Sequence, residues 1–233
     1  MSQFAFVLIN ESKTSPLSAS LTPDELTKMA NAITVQLNRD FAPHWGGSYL
    51  VRAGLSPSDV LDKEGVFAIL DALPNAPGAI AYHDVNGSAV PVAFLGLSTC
   101  NTLGDVSCAI SHECLETGTD PGCNLWADDG AGSEFAYEGC DAVESSTYQI
   151  DGITVSDFVL PTFFVRNGVG PYSFLNVAPA PFQTAGGGYQ IKRNAGTGEA
   201  QVQGDLASKR GLKAAMGKHH WSSRTARRGV KIL

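Results

Sequence analysis

The segment Ser111-His112-Glu113-Cys114-Leu115-Glu116 sets an imidazole and a carboxylate four positions apart, with a second carboxylate directly after the imidazole. On a helix, positions i and i+4 project from one face. His112 and Glu116 are therefore candidates to grip one divalent metal ion, with Glu113 beside them as the base that accepts a proton from an activated water. Zinc suits imidazole and carboxylate donors; at a hydrolytic site it takes three protein ligands and leaves a position for water. The third ligand must come from elsewhere in the chain. Glu138, 22 residues after Glu116, is the first choice, Asp141 the next, and Asp120, just past Gly118, the third.

The spacing departs from the common zinc-peptidase helix at one place, because Glu116 stands where a second His is usual. An extra anionic ligand makes a metal less electrophilic and its water less acidic, so the pattern argues more strongly for metal binding than for turnover. The plain alternative is an i, i+4 pair on a helix surface. His83, near an expected strand end, is read first as a hydrogen-bonded structural residue and second as one that approaches the site. His44, beside Trp45, is read as structural.

All five cysteines fall between Cys100 and Cys140, an odd number with no Cys-x-x-Cys pair. A disulfide framework is not expected, and these residues read as small buried hydrophobes. Cys108, four residues before His112, is a weaker thiolate candidate on the same helical face.

The elements that must position these groups follow from periodicity and turn chemistry. The apolar stretch 4–9 reads as a buried first strand. Thr22-Pro23-Asp24-Glu25 opens a helix whose apolar positions Leu26, Met29, Ala30, Ile33 and Leu37 carry it to about Asp40. Trp45-Gly46-Gly47 breaks it; strands are expected over 48–53 and 65–73. Residues 79–83 and 90–97 read as two strands joined through Asn86-Gly87. Asp105 is expected to cap the motif helix over 106–117, ended by Gly118. Residues 148–155 read as a hairpin around Asp151-Gly152, and Gly, Pro, Ala and Asn dominate from Gly168 onward.

The 233 residues carry a net charge of -7, with 43% hydrophobic and 17% charged residues, as expected of a globular chain with one good core. That charge divides unevenly. Residues 209–233 hold eight Lys and Arg and no carboxylate side chain, leaving residues 1–208 with 8 cations against 23 anions, or -15. The tail, with His219-His220-Trp221, reads either as a simply solvated segment or as one that lies against a neighbouring acidic subunit; nucleic acid is a weaker partner for a body so acidic. No segment reads as a membrane span or a signal peptide, so a cytoplasmic or virion location is expected.

Four segments in order carry a resemblance. They are Ala79-Ile80-Ala81-Tyr82-His83-Asp84, Ile110-Ser111-His112-Glu113-Cys114-Leu115-Glu116 with Asp120-Pro121, Tyr137-Glu138-Gly139-Cys140-Asp141-Ala142-Val143-Glu144, and Val155-Ser156-Asp157-Phe158-Val159-Leu160-Pro161. Over about residues 60 to 165 the chain resembles a little-characterised group of bacterial and phage proteins with a zincin-like core. The resemblance implies a metalloprotease-like fold with the motif helix against a mixed sheet, His112 as first ligand and Glu113 as general base.

The resulting expectation is an α+β chain: a zincin-like domain over 1–185, a flexible junction over 186–208 and a basic tail over 209–233. Its expected function is zinc binding, with peptidase activity on a peptide or protein substrate. The alternative is a structural protein of a phage particle that retains the scaffold and docks its basic arm on neighbouring virion subunits.

Overall fold

The computed structural model describes residues 3–74, 76, 79–197 and 200–204. The basic tail, with His219, His220 and Trp221, lies outside the described residues. The apolar amino-terminal run forms β1 (Gln3–Asn10), in which Phe6, Val7, Leu8 and Ile9 are all buried. Burial of consecutive residues means that both faces are covered, as in the middle of a parallel sheet.

Helix α1 (Pro23–Val35) starts where the sequence signals it, with Thr22 Oγ1 accepting the Glu25 N–H at 3.2 Å. The expected run to Asp40 is interrupted. From Gln36 to Phe41 the backbone widens into a π-helical turn before the short α2 (Ala42–Trp45). This turn faces buried Gln36 and Asp40 inward, where polar partners wait: the Gln36 amide donates to the Ser156 carbonyl at 2.8 Å, and the Tyr148 hydroxyl donates to Asp40 at 2.8 Å.

Strands β2 (Ser48–Gly54), β3 (Gly65–Leu70), β4 (Ala81–Val85) and β5 (Pro91–Gly96) join β1 in a sheet of order β2-β1-β3-β5-β4. All pairings are parallel except β4 with β5, the expected hairpin through Asn86. β3 stops three residues short of expectation. Asp71 leaves the strand to accept the Ser12 hydroxyl and the backbone N–H groups of Lys13, Thr14 and Ser15.

The motif helix α3 spans Leu103–Thr119, one turn longer at its start than expected. Asp105 is not the cap. Thr102 Oγ1 accepts the Asp105 N–H at 3.1 Å and Asp105 accepts the Thr102 N–H at 3.0 Å, a reciprocal capping box. Val106, Ile110, Cys114 and Leu115 of α3 join the main core with β1, β3, β5 and α1.

After α3 come β6 (Trp126–Asp128), β7 (Ser133–Ala136) and the hairpin β8 (Thr147–Ile150) with β9 (Ile153–Ser156). That hairpin turns at Asp151 and Gly152, with φ of 51° and 81°, as the Asp-Gly signal predicts. The flexible junction expected over 186–208 is corrected over its described part. Strands β10 (Tyr189–Asn194) and β11 (Ala200–Gly204) pair with each other, and β10 also pairs with β7, giving a second sheet of order β11-β10-β7-β6. Buried Tyr189 and Ile191 anchor it. The chain is thus α+β with a mixed sheet. All five cysteines are free, and among the described residues no helix is long and apolar enough to cross a membrane.

Candidate metal centre

Three elements converge on the second half of α3. The helix presents His112, Glu113 and Glu116; the edge strand β4, packed beside it, presents His83; and residues 137–144, which follow β7, present Glu138, Asp141 and Glu144. This last segment lies tight under the end of α3. The Cys140 N–H donates to Glu116 Oε1 at 3.2 Å and the Val159 N–H donates to the Gly139 carbonyl at 2.7 Å. A Cβ on Gly139 would sit 2.5 Å from Thr119 Oγ1, so any larger residue here must displace Thr119 or the segment itself.

His112 Nε2 lies 3.3 Å from Glu116 Oε1 and 3.3 Å from Asp141 Oδ1, while its Nδ1 lies 3.4 Å from Glu144 Oε2. His83 Nδ1 is hydrogen-bonded to Glu113 Oε2 at 2.9 Å and lies 3.5 Å from Glu116 Oε2. Its other nitrogen, Nε2, lies 3.7 Å from Glu138 Oε2 and makes no hydrogen bond. The two oxygens of Glu116 therefore address two different rings. Three donor sets have all their atoms within 4.8 Å of one another: His112-Asp141-Glu144, His112-Glu113-Glu116 and His83-Glu116-Glu138.

Five carboxylates here face two imidazoles, and Glu113, Glu116, Glu138 and Asp141 are all at most 7% exposed. Burial raises the pKa of Glu116, and the nearby charges of Glu138 and Glu113 add to the rise although His112 opposes it. Burial and Glu116 push Asp141 up to about 7. Burial alone would lower His112, but Glu116, Glu144 and Asp141 outweigh it and hold the ring's pKa well above its ordinary value. Glu116 also sits in the last turn of α3, where the helix dipole disfavours a negative charge. Such a concentration of buried anions is costly unless cations neutralise it.

A cleft of about 510 Å³ opens onto this cluster, with His112, Glu113, Glu144 and Tyr189 in its wall. Tyr189, from β10, hydrogen-bonds with Asp141. His112 keeps 13% of its side chain exposed against 4% for His83, so the His112 end faces the cleft and the His83 end lies behind it. Cys108 also lines the cleft, but burial pushes its thiol up to about 11, which makes it a poor thiolate donor at neutral pH.

The structure thus brings His112, Glu113, Glu116, Glu138 and Asp141 into one cluster, but Glu138 stands beside His83 and not beside His112. Asp120 enters none of the three donor sets. Its Oδ2 accepts the N–H groups of Asn124 and Leu125, each at 2.7 Å, and so shapes the loop after α3. His44 is exposed at the end of α2. His83 is hydrogen-bonded, as its sequence context suggested, yet its bond is to the motif's own Glu113. The available signal was a His in the apolar edge strand of a hairpin just before the motif helix. Glu144, the second residue not selected from sequence, lies on the far side of a 3-10 turn over Asp141–Val143 that spacing alone does not reveal. Comparisons with protein-family models, with curated proteins and with solved structures found no match to this chain.

Proposed function

We propose that the chain is a zincin-like, zinc-dependent hydrolase of peptide bonds, with His112 at the cleft wall and the buried Glu116 and Asp141 beside it as the ligands, and Glu113 as the base. The observation that carries this reading is the placement of Glu116 Oε1 and Asp141 Oδ1, both buried and both 3.3 Å from Nε2 of His112, a residue that lines the cleft together with Glu113. Donors about 2 Å from a zinc-sized ion stand roughly 3–4 Å from one another, so the spacing fits the ion. The mixed sheet with the motif helix packed on it supports the zincin-like core.

When bound, zinc polarises a substrate carbonyl and lowers the pKa of a coordinated water. Glu113 is held through Oε2 by His83 while its carboxylate borders the cleft, an arrangement that fixes the base where a proton must be taken up. Glu144 faces His112 Nδ1 and favours a proton there, which leaves Nε2, between Glu116 and Asp141, as the nitrogen that would take a metal. Two carboxylates on one ion temper its electrophilicity, so turnover is expected to be slower than at a site rich in imidazoles.

Elemental analysis of protein purified without chelators tests the metal, and cleavage of a denatured protein substrate tests the reaction. Glu113→Gln is expected to keep the zinc and lose cleavage by about 10²-fold or more, whereas His112→Ala loses both. Protein that takes up no zinc when equilibrated with it, or undiminished cleavage by the Gln variant, would overturn the proposal.

A further inference from the structure

We infer that the centre holds two divalent cations, with Glu116 as the bridge: behind the cleft-facing ion, a second one is held by His83 Nε2, Glu138 and Glu116 Oε2. The bridge rests on the ligand set proposed above; the inner position has donors of its own.

His83 provides the main argument. Its Nδ1 is hydrogen-bonded to Glu113 Oε2 at 2.9 Å, which leaves Nε2 as the nitrogen available to a metal. Burial would lower the pKa of the ring, but Cys123, Glu113 and Glu138 outweigh it and hold it well above its ordinary value, so a metal ion at Nε2 takes the place of a proton. That nitrogen is buried, makes no hydrogen bond, and looks across 3.7 Å toward Glu138 Oε2. This nitrogen and the Glu138 carboxylate need a cation between them, a proton or a metal ion. A separation of 3.7 Å is too long for a hydrogen bond, but it matches two ligands of one ion with bonds of roughly 2 Å.

Glu116 supplies the second argument, since Oε1 is 3.3 Å from His112 and Oε2 is 3.5 Å from His83. A carboxylate that directs one oxygen to each of two imidazoles has the disposition of a bridging ligand. Two-metal sites place their ions about 3.5–4 Å apart, a distance that one carboxylate spans. Charge gives the third argument: five carboxylates gather here around two imidazoles, and each divalent ion adds to the positive charge that makes such a buried cluster tolerable. Imidazole with carboxylates suits zinc and also manganese. Glu113 acquires a second task on this view, because the bond that steadies the base also fixes the tautomer of the inner ligand.

The test is metal stoichiometry of the full chain, stripped and then titrated separately with Zn²⁺ and Mn²⁺. We expect two ions per chain in the wild type and one in either His83→Ala or Glu138→Gln. A single ion lost in His112→Ala and retained in His83→Ala would overturn the inner position and leave the cleft-facing reading intact. A single ion with the opposite pattern would overturn the cleft-facing ligand set and, with it, the bridge. No bound ion at all would overturn both. Electron paramagnetic resonance of the Mn²⁺-loaded wild type needs no variant and guards against misfolded ones: a spin-coupled pair is expected, and only the hyperfine pattern of isolated ions would sink the inference.

Discussion

Asp157 shows what a buried carboxylate costs here when no basic group answers it. It is fully buried and accepts the N–H groups of Phe158 and Leu175 at 2.8 and 3.0 Å, and burial pushes its pKa up to about 6. Because the folded value lies above the unfolded one, its stabilising contribution is complete below about pH 4 and is lost as the pH rises through about 6. Asn keeps the acceptor and removes the ionisation. Asp157→Asn is therefore expected to exceed the wild type by about 1–3 kcal/mol at pH 8 and to match it near pH 4, as chemical denaturation at the two pH values would show; a constant difference would contradict this account. The cluster around Glu116 differs from Asp157 in having imidazoles beside it and a cleft before it. At this scale the sequence was most legible where spacing alone decides geometry. The helical repeat put His112, Glu113 and Glu116 together, whereas His83 and Glu144 depend on a strand edge and a 3-10 turn brought in by tertiary contacts.

Among the elements, α3 and the segment 137–144 form the clamp of the site. Gly139 allows the segment to pass beneath Thr119, and the Cys140 N–H then fixes Glu116. Gly139→Ala must push the two apart, at a cost of about 1–3 kcal/mol, and it is expected to weaken zinc binding far more than a surface substitution of equal cost. Thr102→Ala removes the helix cap at the opposite end and should cost about 1 kcal/mol with zinc binding unchanged. Thermal melts and zinc titrations of both variants would separate the two effects; equal losses of binding would argue against the clamp. Helix and strand types were largely readable because amphipathic periods and Asn-Gly and Asp-Gly turns are local signals. The π-helical turn was not, since Gln36 and Asp40 face inward only because Ser156 and Tyr148 wait there from over a hundred residues away. The Gly186–188 run misled for a similar reason. Its composition suggests slack, yet a Cβ on Gly188 would strike the Ala142 backbone, so the glycine marks a close approach that leads into β10.

For the whole molecule, bound cations would offset part of the cost of gathering so many carboxylates. With free zinc at 100-fold its Kd, each ion contributes about 2.7 kcal/mol, so a chelator is expected to lower Tm by roughly 5–10 °C per ion. An unchanged Tm after complete stripping would count against a metal centre linked to folding. The order of strands, β2-β1-β3-β5-β4, carries a kinetic consequence. The donors lie on an edge strand, a helix and a segment beyond both, from His83 to Glu144, so they meet only once the sheet is assembled and the later chain has closed over α3. Interactions absent from the folding transition state act on the rate of escape from the native state and leave the rate of arrival unaltered. Metal should therefore behave as a latch: stopped-flow measurements with and without zinc are expected to show slower unfolding and the same refolding rate, and the centre would govern how long the fold persists once formed.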